Sequence, residues 1–215
     1  MKVVAISVGR PREAQWRGRK VKTSIFKAPI SSRAFVTREN VEGDLQSDLS
    51  VHGGPDKAVY AYPAEHYDCW RRELPDAELP WGAFGENLTT EGLLEDEVWI
   101  GDRYQVGTTE LVVTQPRMPC YKLAIRFGHA DVVKRFLKSR RSGFYLAVGR
   151  EGDIGAGDVI ERLARNDKRL TIADVVSLYA TDSENQTLLE SASEHPSLPA
   201  AWREYFRKRL WAPDA

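Results

Sequence analysis

The chain is poor in cysteine: Cys69 and Cys120 are its only two in 215 residues. No signal-peptide core precedes them, since the apolar run at residues 3–8 is too short. A disulfide framework is therefore not expected, and both thiols are read as free. An excess of either charge is also missing, with 31 Lys plus Arg against 31 Asp plus Glu. That argues against bulk binding of nucleic acid or of an anionic membrane, though not against a local basic pocket for a small anion. No stretch approaches the ~20 apolar residues of a membrane helix. A cytoplasmic location without a membrane anchor is the expectation. Several motifs are absent too. There is no Gly-x-Gly-x-x-Gly opening a helix, no Walker sequence, no Cys-x-x-Cys, no His-Glu-x-x-His and no nucleophile elbow. Dinucleotide, P-loop, zinc and serine-hydrolase readings thus lack support.

What remains is an ordinary apolar content distributed in short segments. A chain of this size can bury roughly 70% of the surface its unfolded form exposes. Residues 1–165 read as β-rich. Runs at 3–8, 21–26, 98–105, 111–115, 143–148 and 159–163 are expected strands, with a turn at Gly107-Thr108. Strands this short, separated by Gly and Pro turns, suggest a closed or nearly closed barrel. Two helices interrupt them. One starts at Pro63 and puts Tyr67, Trp70 and Leu74 on one face. The other starts near Asp131 and turns Val132, Val133, Phe136 and Leu137 inward. The mixed order favours an α+β fold. After a polar linker at 165–169, three helical patterns follow, at 172–179 with Thr171 as cap, at about 185–194, and beyond Pro199. The last carries a stripe of Leu198, Trp202, Tyr205, Phe206 and Leu210. The expected organisation is a barrel domain over 1–165 and a three-helix unit over 166–215.

Three stretches can carry chemistry. In Pro116-Arg117-Met118-Pro119-Cys120-Tyr121-Lys122-Leu123 the two prolines force the backbone out of the sheet in a rigid segment. Residues 121–127 fit a helix or a strand. A helix would place Cys120 at its N-terminus, where Arg117 and Lys122 would favour a thiolate, the soft metal ligand. In His52-Gly53-Gly54-Pro55-Asp56-Lys57 the glycines allow close backbone approach to a ligand, flanked by His52 and Lys57. In Gly82-Ala83-Phe84-Gly85-Glu86-Asn87, Asn87 can read a heterocycle edge, and Glu86 can take a proton or hold Lys57.

Taken in order, these stretches resemble the MOSC family, and within it the YiiM-type proteins. The resemblance rests on Lys27-Ala28-Pro29, on residues 48–62, on Glu65-His66-Tyr67, on residues 82–90, on Ile100-Gly101-Asp102 and on residues 116–123. It covers about residues 25–163, and the tail is similar to the three-helix domain that YiiM-type proteins append. It implies a β-barrel that binds a molybdenum cofactor (Mo-molybdopterin) in a cleft, with Cys120 as the protein ligand to the metal. It further implies reduction of N-hydroxylated compounds, hydroxylaminopurine base analogues among them, to amines. Electrons would come from a separate flavin- or haem-containing reductase, since this chain has no flavin or iron–sulfur motif of its own. On that reading Lys27, Arg33, His52, Lys57 and Arg117 are candidates for the cofactor's anionic end, Gly53 for backbone contact and Asn87 for the pterin. His52 or Glu86 would deliver a proton to the departing hydroxyl. Two alternatives stay open: a non-catalytic cofactor carrier, and a barrel that binds a small anion without molybdenum. The tail's stripe is read as its own core, with a homodimer or a reductase contact as the other uses.

Overall fold

The computed structural model describes residues 1–47, 53–180 and 185–211. Strands β1 (Lys2–Val8), β2 (Arg12–Trp16), β3 (Arg19–Thr23), β4 (Ala28–Ile30) and β5 (Ala34–Val36) come first. β6 (Val59–Pro63), α1 (Tyr67–Glu73) and β7 (Leu88–Glu91) follow, then β8 (Arg103–Val106) and β9 (Thr109–Pro116). Next are α2 (Tyr121–Phe127) and α3 (Val132–Ser139), then β10 (Phe144–Arg150), β11 (Gly152–Ile154) and β12 (Ile160–Ala164). The chain ends in α4 (Ile172–Ala180), α5 (Gln186–Glu194) and α6 (Ala200–Trp211). This is an α+β fold.

Eight strands make one sheet in the order β12-β8-β9-β10-β6-β7-β1-β4. Among the described strands only β6 and β7 pair in parallel, because α1 supplies the crossover between them. The sheet curls until its ends approach. β1 meets the segment leading into β12 through one bridge, Lys2 to Val159, and through hydrogen bonds from Val3 N to Asp158 O (2.9 Å) and from Gly157 N to Val3 O (2.8 Å). The barrel is thus held at the seam by a contact point rather than a full ladder.

β6 divides the interior. All five of its residues are buried. Alternate side chains on a strand face opposite ways, so Val59 and Ala61 join the barrel core while Tyr60 and Tyr62 enter a second cluster. That second cluster packs Trp70 of α1, Phe84, Leu123 of α2 and Phe136 of α3 around the two tyrosines. Tyr62 stacks on Phe84 at 4.6 Å and accepts a hydrogen bond from Trp70 Nε1 (2.6 Å). Each such large apolar side chain, fully buried, contributes about 1.5–3 kcal/mol.

The tail shares the barrel core. Ile172, Val175, Leu189 and Phe206 belong to the same cluster as Val59 and Leu111. Thr171 and Asp174 cap α4 reciprocally, each side chain accepting the other's backbone N–H at 2.9 Å. Asn185 caps α5 by accepting from Leu188 N (3.0 Å). Ile100 N donates to Leu170 O and Trp202 Nε1 to Gln115 Oε1, both at 2.8 Å, which pins the tail to the barrel.

Some expected elements shift. The strand expected over 21–26 ends at Thr23, because residues 24–27 leave the β2–β3 hairpin. The one expected over 98–105 starts only at Arg103, since Trp99 to Asp102 is a turn with Gly101 at φ +85°. Pro63 ends a strand, and a single 3-10 turn at Ala64–His66 precedes α1. Residues 121–127 are a helix, closed by Gly128 in the left-handed conformation.

Candidate functional site

Where β9 ends, Pro116 and Pro119 carry the chain across the open end of the second cluster. Arg117 N donates to Gly143 O (3.2 Å). Gly143 sits at φ +60°, and a Cβ there would meet Ala61 O at 2.4 Å, so only glycine allows this approach. Glu95 holds the same turn by accepting from Gly143 N (2.8 Å), and His66 Nε2 lies 2.7 Å from the other Glu95 oxygen. Cys120 is extended (φ −128°, ψ 172°) and precedes the first turn of α2, where its carbonyl accepts from Leu123 N (2.9 Å). Its thiol is free and half-buried.

Cys120 lines a cavity of about 90 Å³, several times the ~10–15 Å³ that admits one water. Lys27, Lys57, Arg117 and Lys122 line it too, against one carboxylate among the described residues, Asp44. Tyr60 and Tyr145, directly opposite each other on β6 and β10, form part of the wall. Thr114 Oγ1 donates to Asp56 O (2.6 Å) and so ties the Lys57 turn to β9.

Arg117 is buried, 5% exposed. Its guanidinium lies 5.5 Å from the Tyr60 ring and 5.2 Å from the Phe136 ring. Its Nη1 has no hydrogen-bond partner among the described residues. Burial pulls its pKa down, but Tyr60, Tyr145 and Cys120 outweigh that and hold it above the ordinary value. Burial likewise pushes the Tyr60 and Tyr145 phenols up, against the pull of Arg117.

Lys27 pairs with Asp44 at 2.6 Å, both side chains nearly out of solvent. Burial lowers its pKa against the opposing pull of Asp44. Asp44 also accepts from Gly9 N (2.8 Å) and from Asn87 Nδ2 (3.0 Å), while Asn87 Oδ1 accepts from Tyr60 N (3.2 Å). Lys122 Nζ lies 3.3 Å from Ser47 Oγ.

Of the residues selected from sequence, Cys120, Lys27, Lys57, Asn87 and Arg117 come together around this cavity. Asn87 holds Asp44 and β6 in place, so both ends of its amide are engaged. Four others do not join them. Arg33 is not on the cavity: its guanidinium forms a bidentate pair with Asp158 (2.9 and 2.8 Å) beside the barrel seam. Glu86 is sealed from solvent and accepts from Tyr67 Oη, from Gly82 N (2.8 Å), Phe84 N (3.1 Å) and Thr89 Oγ1 (3.0 Å). It folds its own loop and is not among the residues that line the cavity. Gly53 precedes the 3-10 turn Pro55–Lys57 and does not line the cavity. His52 lies outside the described residues. Sequence reasoning missed Asp44, Tyr60 and Tyr145. Tyr60 and Tyr145 become visible as a pair only once β6 and β10 are known to be adjacent.

The donor set fits a metal that arrives already chelated. Among the described residues no group of three His, Cys, Asp or Glu could hold an ion. One soft sulfur on a cationic wall, with a buried guanidinium nitrogen lacking a partner, suits an anionic organic chelator whose metal needs one thiolate more.

Comparison with known families matches residues 48–161 to the MOSC domain and residues 170–211 to the YiiM-like, 3-alpha helix domain. The uncharacterized protein YflK of Bacillus subtilis is 40% identical over 207 residues, covering 96% of this chain and 93% of that protein. A Gibberella moniliformis protein named reductase is 32% identical over 197 residues, 90% of this chain but 35% of the relative. The crystal structure of YiiM from Geobacillus stearothermophilus superposes with a TM-score of 0.82 at 36% identity, covering 97% of this chain and 98% of that one.

Proposed function

The chain belongs to the MOSC family, with the YiiM-like three-helix addition, and from that premise we propose that it is a molybdenum-cofactor-dependent reductase of N-hydroxylated compounds. Membership carries the coarser statement, a function related to the molybdenum cofactor, and the likeness to a protein named reductase supports oxidoreductase chemistry. The observation that carries the finer reading is that, among the described residues, Cys120 shares a cavity with a partnerless Arg117 nitrogen, four cations and one carboxylate.

Bound there, molybdenum would supply two-electron oxygen-atom transfer, which no side chain performs. The chain's own residues supply the rest. Cys120 would provide the sulfur ligand. Arg117, Lys57 and Lys122 would hold the anionic parts of the cofactor by charge-assisted hydrogen bonds. Tyr60 and Tyr145 keep the guanidinium aimed into the cavity and exclude water behind it. The overall change takes R–NHOH, two electrons and two protons to R–NH₂ and water. Lys27, held against Asp44 on the wall, replaces Glu86 as the described group able to pass a proton, with His52 as the other candidate. Electrons come from a separate flavin-containing reductase. No helix among the described residues is long and apolar enough to cross a membrane, and we place the reaction in the cytoplasm.

The test uses protein made in a host that supplies the cofactor, reduced chemically, with 6-hydroxylaminopurine as substrate and adenine measured by chromatography. Turnover that scales with molybdenum content is expected. A protein replete in reducible molybdenum that forms no amine would instead be a cofactor carrier.

A further inference from the structure

The cations of this chain are unevenly distributed. Residues 10–22 hold six of them, Arg10, Arg12, Arg17, Arg19, Lys20 and Lys22, and a single acid, Glu13. They form the β2–β3 hairpin, a two-stranded sheet apart from the eight-stranded one. Its register pairs Arg12 with Thr23, Ala14 with Val21 and Trp16 with Arg19. These six residues share one face, and that face meets α2. At one end the Arg12 guanidinium lies 3.3 Å from the Phe26 ring, with Arg126 of α2 5.7 Å from the same ring. At the other end the Trp16 ring lies 6.3 Å from that of Tyr121. The hairpin therefore runs alongside α2, and its turn stands at the end of that helix where Cys120 opens into the cavity. Leaving the hairpin, Thr23, Ser24 and Ile25 continue as cavity wall.

The turn itself is unusual. Arg17 (φ +48°) and Gly18 (φ +76°) both lie in the left-handed region, a two-residue geometry that Asn-Gly fills without strain. An arginine is held there at some conformational cost. Arg17 also lies 5.4 Å from the Trp16 ring. Across the strand from Trp16 stands Arg19, on the inner face. Lys20 points the other way and pairs with Glu13 at 3.1 Å. Tyr121 is 44% exposed, an aromatic surface next in the chain to Cys120 that nothing in the second core uses.

Resting on the reductase reading above, we propose that the hairpin turn and Tyr121 form a substrate subsite that takes N-hydroxylated nucleotides in preference to free bases or nucleosides. The planar base lies against Trp16 and Tyr121, which accept any base because every base has a π-face. The 5′-phosphate sits between Arg17 and Arg19, whose forked donors match phosphate oxygens. The cations that line the cavity would be left to hold the cofactor, so the two anions, cofactor and substrate, would have separate sets of charges. A negatively charged substrate also explains why a chain of zero net charge concentrates its cations here.

The experiment compares 6-hydroxylaminopurine riboside with its 5′-monophosphate, by calorimetric binding and by kcat/KM in molybdenum-replete protein. The nucleotide is expected to be favoured roughly tenfold, the scale of one good charge-assisted phosphate contact. The double variant Arg17→Asn/Arg19→Thr, which keeps the turn and the strand, should bring that ratio near one. Lys20→Ala, the loss of one positive charge on the outer face, should leave it unchanged. Equal affinity for both forms, or an equal effect of Lys20→Ala, would overturn the subsite while leaving the reductase reading intact. Failure of replete protein to reduce either form would overturn that reading, and the binding ratio would then decide the subsite by itself.

Discussion

Arg117→Met makes an informative perturbation, because the structure predicts gains and losses of opposite sign. Arg117 is buried with no ion-paired carboxylate among the described residues, and one of its guanidinium nitrogens has no partner. Taking a cation out of water costs several kcal/mol even after relaxation. The rings of Tyr60 and Phe136, at 5.5 and 5.2 Å, return about 0.5–2 kcal/mol each, and the Tyr145 phenol partly offsets the rest by hydrogen bonding to the guanidinium, but the unpartnered nitrogen keeps its desolvation cost. The raised pKa of the guanidinium does not alter this near neutral pH. It reflects attraction to ionised tyrosines, and burial pushes Tyr60 and Tyr145 up so that they stay neutral there. In the cofactor-free protein the charge is therefore a net liability. Methionine keeps much of the apolar stem and discards the charge. We expect it to stabilise cofactor-free protein by about 1–3 kcal/mol, with a rise in Tm of about 2–4 °C for each kcal/mol at this chain length. Retention of the cofactor should fall sharply in the same variant. Urea unfolding followed by circular dichroism measures the first effect, and molybdenum and pterin content the second. A destabilisation of more than ~1 kcal/mol in the cofactor-free form would show that the protein itself satisfies Arg117, and the argument for an anion beside it would fail.

Asp44→Ala should cost about 3–5 kcal/mol, because it strands a buried Lys27 and removes an acceptor from Gly9 and Asn87. Lys27→Met/Asp44→Leu should recover much of that loss in urea unfolding. Burial raises the phenols of Tyr60, Tyr62, Tyr67 and Tyr145. The native state thus keeps protons that the unfolded chain releases above pH ~10. Their contribution to stability is complete below that pH and falls as pH climbs beyond it. In an ultraviolet titration these four should ionise together with unfolding, and stepwise ionisation of a folded protein would contradict their burial. Trp202→Phe removes the Trp202–Gln115 hydrogen bond between tail and barrel. It should cost about 1 kcal/mol, read as a lower midpoint in thermal unfolding.

The outline of the fold could be read from the chain because its signals are local. β1 is a β-branched run, Thr171 and Asn185 are ordinary caps, and Tyr67, Trp70 and Leu74 recur at helical spacing. β6 was hidden for the opposite reason. Buried on both faces, it has no alternation to betray it, and its sequence reads as part of a motif. At the site, Cys120 and Arg117 were legible because two prolines and the family likeness single out their segment. Arg33 and Glu86 were misplaced because one-dimensional order does not show where a charge finds its partner. Asp158, 125 residues away, claims Arg33. Gly82 and Phe84, close in sequence, turn their amides onto Glu86. The Lys27–Asp44–Asn87 chain joins three segments that only the sheet brings together.

The account depends on the sulfur at position 120 holding a metal through an organic chelator. Elemental analysis and pterin fluorescence, on wild type and Cys120→Ser purified side by side from a cofactor-competent host, test that directly. The account predicts molybdenum and pterin in about equal amounts in the wild type, and loss of the metal in the variant while its circular dichroism spectrum stays unchanged. Equal molybdenum in the two proteins would contradict it.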